Sequence, residues 1–104
     1  MIITTTNDVP GREIKEILGI VRGNTVRARN IGRDIFAGLR NLVGGEIDEY
    51  TKLFQQAREQ AIGRMIADAK SIGADAVVCM RLTTSDVMQG ASEMMAYGTA
   101  VKLK

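Results

Sequence analysis

The sequence predicts an α+β fold in two layers, an antiparallel sheet packed against one long helix plus a short helix. Three observations predict it. Apolar residues repeat by three and four from Ile47 to Ile72. Two strand-like stretches follow, Ala76 to Asp86 and Ser92 to Leu103, around a turn near Gln89-Gly90. The chain also begins with a β-branched run, MIITTT. A 3.6-residue period marks a helix with one buried side, and β-branched runs suit a pleated sheet.

Met1 to Thr6 reads as a short strand and Asn7 to Gly11 (NDVPG) as a turn. From Glu13 to Ala28, Gly19 and Gly23 argue against a helix. Gly23-Asn24 suggests a hairpin turn between IKEILGIVR and TVRAR. Ile31 to Val43 returns to helical spacing, with Asn30 as the N-cap and Gly44-Gly45 as the stop. In the long helix, from Glu46 to Ile72, Asp48 is spaced to pair with Lys52, and Arg64 with Asp68. Gly73 is placed as its C-cap. Gly63 sits inside and implies that something packs closely there. Asp75 ends the turn into the next strand.

With 104 residues, one domain over positions 1–104 is expected. Four aromatics leave the core to Ile, Val, Leu, Met and Ala. The net charge of +2 and the scarcity of aromatics speak against nucleic acid. A single cysteine, Cys79, excludes an intramolecular disulfide and points to a cytoplasmic setting. No basic leader and no apolar run of membrane-spanning length is read in the sequence.

Two features point to a homo-oligomer. A helix from Glu46 to Ile72 would be about 40 Å long, while a domain of this size has a radius of gyration near 13 Å. The last strand also lacks a water face. Met95, Tyr97, Thr99, Val101 and Leu103 point one way, and the smaller Met94, Ala96, Gly98 and Ala100 the other. The small set suits a close helix; the larger set needs a second cover, from a neighbouring subunit or from the short helix.

GIVRGN (Gly19 to Asn24), ARNIGRDIFAGLRNLVGG (Ala28 to Gly45), IGADAVV (Ile72 to Val78) and YGTAV (Tyr97 to Val101) resemble the YbjQ-like family of uncharacterised bacterial proteins. The resemblance implies a subunit similar to that of dodecin, assembled as a ring, with a pentamer favoured and Met1 to Thr6 as a strand that aids assembly. It also brings a heavy-metal-binding label, with no ligand set to carry over. The family often has glycine where this chain has Cys79.

The chemistry on offer is sparse. There is no histidine, so a base would be Asp, Glu, Lys or Tyr. Asp34, Asp75 and Asp86 qualify by type alone, and no catalytic residue and no cofactor is assigned. Cys79 with Met80, Met94 and Met95 could hold a soft metal, although Met and free Cys commonly fill cores. From Arg22 to Arg40 five arginines face one acid, Asp34. Arg27, Arg29, Arg33 and Arg40 are the candidate ligand-binding residues, for a small anion. The competing reading is a solvated face or pairs with acids of a neighbouring subunit.

Overall fold

The computed structural model describes residues 1–28, 48–88 and 91–104, with side chains at 1–26, 51–86 and 91–104. The short helix expected at Ile31 to Val43, and with it Arg29, Arg33, Asp34 and Arg40, lies outside the described residues, as does the side chain of Asp48 that was expected to pair with Lys52.

Four strands and one helix make up the described architecture: β1 (Ile2–Ile3), β2 (Ile14–Ala28), α1 (Asp48–Ser71), β3 (Ala76–Met88) and β4 (Ala91–Leu103). The sheet order is β1-β3-β4-β2. The three long strands are antiparallel neighbours, and β1 joins the β3 edge in parallel. The helix lies on one face, chiefly over β2 and β4.

The expected hairpin at Gly23-Asn24 is not there. β2 runs without a turn from Ile14 to Ala28, and Gly23 pairs with Ala96 in its middle. Its glycines do other work. Gly19, at φ +132°, sits at a register shift between Ile17 and Gly19, where the strand bulges. Gly23 lies under the helix backbone: a Cβ built on it would stand 2.1 Å from the Ala61 carbonyl oxygen and 2.3 Å from the Met65 nitrogen.

The helix reads as expected from its stripe. Ala57, Ala61, Met65 and Ala69, four residues apart, are buried against the sheet. Three of these are alanines, which lets the axis come down onto Val21, Gly23, Ala96 and Ala100. Thr25 is buried with them, and its hydroxyl donates to the Ala57 carbonyl at 3.1 Å. At the helix end, Ala74 N–H donates to Ala69 O and Gly73 N–H to Lys70 O, both at 3.1 Å. Gly73 has φ +77°, so this is a Schellman cap on the expected glycine.

Two expectations about packing fail. No heavy atom comes within 4 Å of a Cβ on Gly63, which faces open space. Gly98 is tight, but against β3: its Cβ would meet Val77 Cγ1 at 2.5 Å and the Val78 carbonyl oxygen at 3.1 Å. The cause is a bulge between Val78 and Arg81, which brings the β3 backbone over β4.

The second cover for the other sheet face begins within the chain itself. Val9 packs on Ala76, Val78, Val101 and Leu103, with Ile14 and Cys79 beside them. A turn holds it there, with Arg12 N–H donating to Val9 O at 3.0 Å and Gly11 at φ +84°. Proline then glycine at its central positions is the type II pattern.

Candidate functional site

Alternation along the paired strands assigns each side chain to a face. The outer face, away from α1, carries Ile17, Ile20, Arg22, Asn24 and Val26 from β2. Opposite them lie Val101, Thr99, Tyr97, Met95 and Glu93 of β4. β3 adds Arg81 and Thr83 beside Tyr97 and Met95. Val9 covers the lower β3–β4 side of this face. The β2 side stays open, with Ile17 and Ile20 each 69% exposed and Val26 55% exposed.

The acids and bases of the edge have structural partners. Asp68 Oδ2 accepts the Arg22 backbone N–H at 3.1 Å, and Arg64 Nη1 donates to the Asn24 carbonyl oxygen. The expected Arg64–Asp68 pair is therefore replaced by two contacts to the free edge of β2. Asp75 Oδ2 accepts the Leu103 N–H at 2.9 Å, and Asp75 N–H donates to Val101 O, so this residue joins the helix exit to β4. Asp86 Oδ1 accepts from the Ser92 hydroxyl across the hairpin at 3.1 Å. Among the described residues Lys104–Glu13, at 2.9 Å, is the one ion pair, and it is exposed.

The soft donors divide between environments. Met80 packs against the core under α1, and Cys79 against the Val9 cluster. Met94 pairs with Thr25 on the helix side, while Met95, one residue on, faces outward beside Asn24. Cys79 has φ 56°, in the left-handed region that favours glycine. Its N–H donates to Thr6 O and its thiol to Asn7 Oδ1 at 3.2 Å. Among the described residues no three His, Cys, Asp or Glu side chains come together.

Of the four candidate ligand-binding arginines, Arg27 lies on β2, and Arg29, Arg33 and Arg40 lie outside the described residues. A cleft of about 400 Å³ opens between the first turns of α1 and the far ends of β3 and β4. Leu53, Phe54, Ala57 and Met94 give it an apolar wall, and Thr84 and Asp86 a polar one. Sequence reasoning missed this cleft, because the helix stripe gives no sign of where the sheet diverges from the helix.

The fold and sequence have relatives. The family described as "Putative heavy-metal-binding" matches residues 1–104. The chain belongs to the YbjQ-like family. A UPF0145 protein of Archaeoglobus fulgidus is 62% identical over 104 residues, all of this chain and 96% of the relative. Another from Dehalococcoides mccartyi is 60% identical over 97% of both chains. A crystal structure of a protein of unknown function of the DUF74 family, from Pediococcus pentosaceus, superposes with a TM-score of 0.65 at 21% identity. It covers all of this chain and 98% of that one, and shows that this YbjQ-like chain shares its fold. Among the described residues no helix is long and apolar enough to cross a membrane.

Proposed function

We propose that this YbjQ-like chain works as a cytoplasmic homo-oligomeric module, a pentamer by the family resemblance, that binds a small anion. The observation that carries the assembly is the open β2 side of the outer face. Ile17 and Ile20 stand side by side there with more than half of their surface in water. The described residues also form a thin slab, 53 × 28 × 16 Å. A second copy over the β2 side would bury what the slab leaves exposed. For the anion, the support is the excess of four positive charges from Arg22 to Arg40, repeated in every copy.

Native mass spectrometry of untagged protein tests both parts. A five-subunit mass is expected, and a folded monomer at micromolar concentration overturns the assembly. Salt-sensitive polyanion binding should weaken when Arg33 and Arg40 are both changed to Gln. If that variant dissociates the oligomer, these arginines are subunit contacts and the anion reading falls. The family description favours a second reading, soft-metal binding. With Met94 and Met95 on opposite faces, it requires copies of Cys79 to converge. A stoichiometric metal lost in Cys79→Ser would establish it.

A further inference from the structure

The far half of β3 is an open strand edge. β2 turns the Arg22 N–H and the Asn24 carbonyl outward, to Asp68 and Arg64. Main-chain groups alternate in direction along a strand, so β2 bonds β4 through Val21, Gly23 and Thr25. β4 then turns Tyr97, Met95 and Glu93 to Arg81, Thr83 and Ser85 of β3. That leaves the N–H and C=O of Met80, Leu82, Thr84 and Asp86 pointing away from the sheet. At Met80 both are taken: the N–H donates to Thr4 O at 3.0 Å, and the carbonyl accepts Arg81 Nη1 at 2.9 Å. Arg81 Nη1 also donates to Thr5 O at 3.0 Å, which closes the covered part of the edge. From Leu82 to Asp86 no strand lies alongside among the described residues.

We infer that the edge at residues 82–86 is a docking site for an extended segment of another protein. The segment adds a strand to the sheet and sets apolar side chains, at alternate positions, over the cleft beside α1. An alternating row of donors and acceptors is the complement of an extended backbone. The usual guards of an edge are missing here: residues 82–86 hold no lysine, no proline and no register shift. All five residues are exposed, Leu82 at 41%.

The cleft selects the side chains. Leu82, Thr84 and Asp86 pair with Ala96, Met94 and Ser92, so they face the helix side. α1 lies chiefly over β2 and β4 and leaves this part of β3 open. Thr84 and Asp86 stand at the mouth of the cleft, and Leu53, Phe54 and Met94 form its apolar wall. A strand beside β3 puts every second side chain on that face, where about 400 Å³ is open to an apolar group. The sheet's other edge, β2, is held by Arg64 and Asp68 and is no partner for β3 of a second copy. Two β3 edges paired together would be two-fold and give an even number of subunits. Preferring a different protein over that arrangement rests on the five-subunit reading above.

The test is titration of the intact protein with a capped seven-residue peptide in which leucine alternates with threonine or lysine, followed by amide chemical shifts and sedimentation. Saturable binding is expected, with shifts and slowed hydrogen exchange at the Leu82, Thr84 and Asp86 amides. N-methylation of one alternate set of peptide amides should abolish binding, and of the other set should spare it. Serine in place of the leucines should weaken binding on the order of tenfold. Thr84→Pro, a change that an edge position tolerates, should abolish binding while circular dichroism shows the sheet intact. Failure to saturate at millimolar peptide, equal loss with both methylated sets, or shifts that map to β2 would each overturn the site. So would an even-numbered assembly that the peptide splits, since the edge would then be a subunit contact. A monomer that still binds the peptide in this way defeats the five-subunit reading alone.

Discussion

Gly23 of β2 lies directly beneath the carbonyl of Ala61 on α1, with 2.1 Å between that oxygen and a Cβ that glycine does not have. Both walls of this contact are backbone, so neither can turn aside. Gly23→Ala should therefore overpack the layer and cost about 1–3 kcal/mol. Denaturant melts would show it; a midpoint equal to that of the wild type would mean that the helix rides higher over β2.

Gly63 provides the opposite case on the same helix. It is exposed, and nothing lies within 4 Å of its missing Cβ. Gly63→Ala removes backbone freedom from the unfolded chain and should stabilise by about 0.5–1 kcal/mol. A drop in thermal midpoint would reveal a contact on that side of the helix, such as a neighbouring subunit.

The two glycines show what the sequence could and could not convey. In a linear reading both interrupt a pattern, so Gly23 becomes a turn and Gly63 a point of close contact. The structure assigns close contact to Gly23 and open space to Gly63. Nothing in a strand's own residues says how near another layer will come. The long helix was legible because Ala57, Ala61, Met65 and Ala69 repeat at a helical period and stay buried. The Gly73 cap was legible because its signal is local. Gly98 was correctly read as crowded, but the crowding comes from the β3 bulge, and a bulge has no sequence period.

Cys79 adopts a left-handed conformation that costs a residue with a Cβ about 1–2 kcal/mol. Cys79→Gly releases that strain and gives up a half-buried thiol and its contact to Asn7. The two effects are similar in size, so the variant should melt within a few degrees of the wild type. Cys79→Val, branched at Cβ, should melt distinctly lower. Equal losses in both variants would show that the thiol, and not the backbone, governs this position.

Arg64 and Asp68 stand one turn apart, a spacing that suits mutual pairing and equally suits two arms reaching the same neighbour. They reach β2, covering one N–H and one C=O of its free edge. Arg64→Ala with Asp68→Ala should cost about 1–2 kcal/mol, since each contact is charge-assisted but exposed. The double variant should also aggregate more readily, because a sheet edge with free polar groups recruits other strands. Light scattering during refolding would detect this; unchanged scattering would mean that the edge is guarded elsewhere.

The sheet order has a kinetic consequence. β4 is hydrogen-bonded to both β2 and β3, yet it comes last of the three along the chain. β3 and β4 can close as a local hairpin on the microsecond scale. β2 cannot join the sheet until β4 has been made, and its first rung, Ile14 with Leu103, closes a loop spanning most of the sequence. So high a contact order slows folding. During synthesis the fifteen residues of β2 leave the ribosome long before their partner does. Ile14, Ile17, Leu18, Ile20 and Val21 must then wait unpaired in a crowded cell, which makes this strand the natural client segment for a chaperone.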